Sequence, residues 1–146
     1  MPPEVHQFIE DYYDLCNPVA QGRYFYPLKD KESARMTGSD TFIDFVDGKY
    51  HFGYFERGVC SIEFVSEDKD KVMYYPVYAA ISRLANDYEY ANRVRYADFQ
   101  KEATESRIVA FKTRIEYMKT INTVWAKKIE IELSVIAQCD GFSITD

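Results

Sequence analysis

Residues 41–66 constrain the fold more than any other stretch. They run TFIDFV, DGK, YHFGYFER, Gly58 and VCSIEFVS. Asp47-Gly48 stands between two aromatic and β-branched runs, a strong signal for a two-residue hairpin turn. Gly58 permits a second tight turn. The expected product is a three-stranded antiparallel meander. Residues 23–26 of GRYFYP, a short edge strand ended by Pro27, can join it as a fourth. A side-chain period of two puts Tyr50, Phe52, Tyr54 and Glu56 on one face of the central strand. His51, Gly53, Phe55 and Arg57 fall on the other.

Helical spacing governs most of the rest. Pro2 and Pro3 precede an apolar rhythm at Val5, Phe8, Ile9, Tyr12 and Tyr13, with proline tolerated in a first turn. Asn17-Pro18 is expected to stop that helix, and KDKESARMTGSD reads as a polar loop. Val77, Ala80, Ile81, Leu84, Ala85 and Tyr88 form a stripe that predicts a helix from about 70 to about 93, capped by Asp68 or Asp70 and kinked by Pro76. Asp98 is expected to cap a second long helix with Ile108, Phe111, Ile115 and Met118 inward. Asn122 or Thr123 caps a third, with Trp125, Ile129, Leu133 and Ile136 inward. CDGFSITD reads as a closing loop. Clustered strands followed by clustered helices indicate an α+β fold, with the three helices packed on one face of the sheet and the other face left partly free. No repeat or linker interrupts residues 1–146, which predicts a single domain.

Charge narrows the partners. The 146 residues carry a net charge of −6. Residues 1–70 hold fourteen acids and seven bases, whereas residues 71–146 hold ten and eleven. A chain that acidic lacks the cationic footprint needed for nucleic acid or an anionic membrane surface. It suits a basic protein partner. Thirteen tyrosines add side chains with an apolar body and a polar tip, fit for a binding surface or for a homodimer. Cys16, Cys60 and Cys139 are odd in number and far apart, so neither a disulfide framework nor a zinc site is expected. The start MPPEVHQFIED has no apolar signal core, and a cytoplasmic location is expected.

No catalytic set emerges. Nucleophilic catalysis needs a base, and only His6 and His51 are on offer. Cys60 is expected to be an inert thiol buried by its strand. Glu56 and Glu63, on adjacent strands, raise the alternative of a carboxylate-based hydrolase. No phosphate-binding glycine loop, zinc-protease motif or calcium loop is present, and no cofactor or metal is expected. Tyr88, Glu89, Asn92, Arg93 and Tyr96 form a polar and aromatic band whose Glu89–Arg93 spacing favours an ion pair. Either it is a surface pair or it belongs to a network anchoring the helix to Asp98 and the sheet.

GKYHFGYFERG, then NDYEYANRVRYADFQ, then INTVWAKKIEIEL resemble the immunity protein 63 family of bacterial polymorphic toxin systems. The matching positions are Glu56, Arg57, Gly58, Tyr88, Glu89, Asn92, Arg93, Asp98, Phe99 and Trp125, within roughly residues 48–136. The family's pattern continues with arginines after the DF pair, where this chain has Gln100 and Lys101. The resemblance implies an α+β protein that is no enzyme and neutralises a cognate toxin by tight binding, the best candidate toxin being a nuclease. The matching positions are then structural: Gly58 for the turn, Glu56 and Arg57 for local pairing, Trp125 for the core. Tyr50, Tyr54, Glu56 and Glu63 are the expected toxin contacts, with Asp44 and Asp47 as rim charges. All rely on the Tyr50–Glu56 face being open. An adaptor or scaffold protein is the other alternative.

Overall fold

The computed structural model describes residues 1–145, so the last residue of the expected closing loop, Asp146, lies outside the described residues. Five helices and four strands run in the order α1 (Pro3–Ala20), β1 (Leu28–Asp30), α2 (Lys31–Thr37), β2 (Thr41–Val46), β3 (Lys49–Glu56), β4 (Val59–Ser66), α3 (Lys69–Ala91), α4 (Phe99–Ile121) and α5 (Thr123–Cys139). The fold is α+β. The sheet order is β1-β2-β3-β4. Both expected hairpins form: Asp47 and Gly48 have φ of 54° and 74°, Arg57 and Gly58 have 52° and 77°, and both turns use the left-handed conformation that matches strand twist. The chain folds into two compact units, Met1–Ala80 and Ile81–Asp146, and the division falls within α3.

In the first unit the sheet is mixed, because β1 lies parallel to β2. The fourth strand is therefore neither antiparallel nor built from GRYFYP. The reason lies in α1. Tyr12 donates its hydroxyl hydrogen to the Tyr26 carbonyl at 2.6 Å, and the Tyr13 hydroxyl accepts from the Leu28 amide at 3.2 Å. The first bond takes the Tyr26 carbonyl, a group that a strand over 23–27 needs for a ladder, and the second holds the start of β1. α1 also passes the expected stop at Asn17-Pro18 and ends at Ala20. Its final carbonyls are satisfied by Arg23, which donates to Ala20 and Val19. The expected polar loop over KDKESARMTGSD contains α2. Asp30 caps it by accepting from the Ser33 amide, and Gly38 ends it with φ of 76°.

Helices cover both faces of the sheet, not one. On the face carrying Tyr50, Phe52 and Tyr54, the α1 residue Phe8 sits 5.5 Å from the Tyr50 ring. The start of α3 adds Tyr75, 4.5 Å from Phe64 of β4. Lys69 and Asp11 form an ion pair that ties α3 to α1. On the opposite face Ala34 of α2 buries Phe42 and Phe55. Elsewhere on that face Val46, Ile62 and Val65 are exposed, and Asp44 and His51 are half-buried. The face expected to be open is thus the covered one, except at its Tyr54–Glu56 end. β4 is a sheet edge, so Cys60 is exposed and not a buried thiol; Cys16 is the buried one, and burial pushes its pKa up to about 12.

β4 also carries a bulge. Phe52 pairs with Phe64 and Gly53 with Ile62, so Glu63 is the extra residue between them.

The start of α3 is capped by Asp68, which accepts from the amides of Asp70 and Lys71. Pro76 lies inside the helix. In the second unit Ile81, Leu84 and Ala85 of α3 are buried. Asp98 caps α4 through the amides of Gln100 and Lys101, and Asn122 alone separates α4 from α5, ending one and capping the other. The buried stripe of α5 is Ala126, Ile129, Leu133 and Ala137. It is turned slightly from the expected one: Trp125 is half-buried and Ile136 is exposed.

Candidate functional site

In the first unit a groove brings aromatic and acidic groups together. It has a volume of about 600 Å³ and is lined by Tyr24, Tyr26, Pro27, Ser39, Asp40, Thr41, Tyr54, Phe55 and Glu56. Three segments build it. The loop after α1 supplies Tyr24 and Tyr26, which are 57% and 40% exposed, with ring centroids 6.4 Å apart. The start of β2 supplies Thr41, whose hydroxyl donates to the Pro27 carbonyl at 2.8 Å and fastens the loop to the sheet. The end of β3 supplies Tyr54 and Glu56, two residues apart and therefore on one face.

The two carboxylates differ. Asp40 accepts from the Lys29 ammonium at 2.8 Å and from the Thr37 hydroxyl at 2.5 Å. The lysine, followed by the hydroxyl, holds its carboxyl below the usual range. Asp40 thus fixes the groove wall. Glu56 is exposed at the strand end and is the negative charge the groove presents. Tyrosine faces beside a carboxylate suit a lysine or arginine side chain.

The six expected contacts do not form one patch. Tyr54 and Glu56 line the groove together. Tyr50 is half-buried between Phe8 and Phe45. Asp47 is in the turn at the far end of β3, and Asp44, paired with His51, lies on the opposite face. Glu63 occupies the β4 bulge. Glu56 pairs with Val59, which leaves Glu63 beyond the Gly53–Ile62 pair, about 10 Å along the strand at ~3.3 Å per residue. That spacing does not let the two carboxylates share a proton. Sequence reasoning missed Tyr24, Tyr26 and Asp40. Their signal was the tyrosine-rich GRYFYP itself, read as a strand.

The polar band of α3 lies in the second unit and is joined by hydrogen bonds. Glu89 is only 5% exposed. Arg93 holds it with two parallel bonds, Nε to Oε1 at 2.8 Å and the second nitrogen to Oε2 at 2.7 Å. That guanidinium keeps the Glu89 carboxyl below its ordinary range, against the opposing effect of burial. Asn92 caps α3 by bonding the Tyr88 carbonyl at 2.9 Å. Glu102 accepts from the Tyr96 amide at 2.9 Å and from Arg95 at 3.0 Å, closing the link into α4. Asp98 uses its oxygen on its own helix. Arg57 and Gly58 form the β3–β4 turn, and no ion pair joins Arg57 to Glu56 among the described residues.

Among the described residues, no group of three His, Cys, Asp or Glu side chains is placed to hold a metal ion, and no helix is long and apolar enough to cross a membrane. A family model described as Immunity protein 63 matches residues 47–134, more than half of the chain. No curated protein and no solved structure matches it.

Proposed function

Since the chain belongs to the immunity protein 63 family, we propose that it neutralises its cognate toxin by direct binding, with the groove between Tyr24, Tyr26, Tyr54 and Glu56 at the centre of the interface. The observation that carries this reading is the meeting of three tyrosines with an exposed carboxylate in one groove. Tyrosines supply buried anchors at low entropic cost, and a desolvated cation–carboxylate contact adds specificity. The groove belongs to the acidic part of the chain, residues 1–70, with fourteen acids against seven bases. That balance speeds the approach of a basic partner. A nuclease is such a partner, because an enzyme that binds the phosphate backbone carries a cationic surface. Asp44, Asp47 and Glu63 then act at a distance, raising the encounter rate. Tyr50 supports the sheet beneath α1.

The test is the affinity for the toxin domain encoded beside this gene. Tyr54→Ala and Glu56→Gln are each expected to weaken binding by tenfold or more, at about 1.4 kcal/mol per tenfold. Asp47→Asn is expected to slow association at low salt and leave dissociation unchanged. Parent-like affinity in both groove variants rules this groove out.

A further inference from the structure

The sheet has two edges, and the sequence treats them differently. β1 is three residues long, follows Pro27 and carries Lys29 and Asp30. Shortness, proline and charge are the common devices that stop a strand from pairing further. β4 has eight residues, no proline and no basic side chain, and among the described residues its only sheet neighbour is β3. Its Val59, Ile62 and Val65 are 65%, 48% and 40% exposed. A long apolar edge with outward-facing backbone groups is a template for another strand. One guarded point remains: the bulge, with Glu63 exposed on it.

The position of that guard selects the occupant. In an antiparallel self-pairing that overlaps most of β4, the two copies of Glu63 lie opposite each other or within two residues. Their carboxylates then stand within about 8 Å, the screening length at physiological salt, and repel. A strand bearing Lys or Arg at that point is attracted instead. The geometry points to the free edge of β4 as a docking site for an extended, basic segment of a protein partner, added as a fifth strand with its cationic residue beside Glu63. Identifying that partner as the toxin rests on the function proposed above.

The probe is a nine-residue peptide alternating threonine and valine around one lysine, with a twin carrying glutamate at the centre. Each is titrated into the full chain, and the backbone amides of residues 59–66 are followed by nuclear magnetic resonance. The lysine peptide is expected to shift and protect these amides, and its twin to bind at least fivefold more weakly. Glu63→Lys should reverse that order and Glu63→Gln should erase it. Unperturbed β4 amides, or equal binding of both peptides in all three proteins, overturn the inference. Amide exchange in the complex with the adjacent toxin domain separates the two claims. A complex that leaves residues 59–66 exchanging as in the free chain overturns the edge and spares the immunity reading. Failure to form any complex removes the toxin as the partner.

Discussion

At Gly53 a single hydrogen in place of a methyl decides whether the sheet closes. A Cβ there would lie 2.3 Å from the Ser61 carbonyl oxygen and 2.8 Å from the Phe42 ring. Neither neighbour can yield: the oxygen belongs to the bulged strand, and Phe42 is fully buried. Gly53→Ala is expected to cost about 3 kcal/mol, as overpacking at a rigid site does. The urea midpoint should fall with little change in slope, and an unchanged midpoint would mean that the bulge relaxes. Gly58 differs, because nothing lies within 4 Å and only its φ of +77° opposes a side chain. There alanine should cost only ~1 kcal/mol. The sequence marks Gly58 as a turn residue, yet only the bulge opposite Gly53 explains why Gly53 matters more.

The elements show where reading by period succeeds. Both hairpin turns, the Asp98 cap and Phe111, Ile115 and Met118 of the expected α4 stripe were legible, because each depends on residues close in sequence, whereas Ile108 is only half-buried and Ala110 is buried instead. α2 was not, since seven residues are too few for a stripe; its Asp30-x-x-Ser33 cap and Gly38 were its only marks. The segment 23–27 misled for the opposite reason. Its aromatic content suits a strand, but the Tyr12 hydroxyl of α1 takes the Tyr26 carbonyl. Burial raises the pKa of the Tyr12 hydroxyl, which stays a donor at neutral pH. Tyr12→Phe removes the hydroxyl's bond to the Tyr26 carbonyl and should cost ~1–2 kcal/mol. It should also weaken toxin binding several-fold, although Tyr12 does not line the groove, because it positions the loop of Tyr24 and Tyr26. Parent-like affinity would show that Thr41 alone suffices to hold that loop.

Across the whole molecule, carboxylates in both units are more acidic than in the unfolded chain. Lys69 lowers Asp11, Lys29 lowers Asp40, Arg93 lowers Glu89, and the Tyr96 amide lowers Glu102. Groups of this sign stabilise the fold while ionised. Their contribution is complete above the ordinary values of 3.8 for Asp and 4.5 for Glu, and it is lost as pH falls through the lower folded values. The urea midpoint should stay level from pH 7 to about 5 and decline below about 4.5. Glu89→Gln should lower the neutral midpoint and make the acid decline shallower. A midpoint that rises on acidification would contradict this account of the carboxylates.

By itself the sequence determined the α+β class, the meander, the caps of the three long C-terminal helices and the family, because these follow from local periodicity, turn chemistry and motif spacing. It also divided β3 into two faces. Which face the helices cover was decided only in three dimensions, by Phe8 over Tyr50 and by Tyr75 over Phe64. Alternation is symmetric between the two sides of a sheet, and only the path of the distant helices breaks that symmetry. The same path brings Tyr24 and Tyr26 to Tyr54, some thirty residues away, and leaves β4 at an edge.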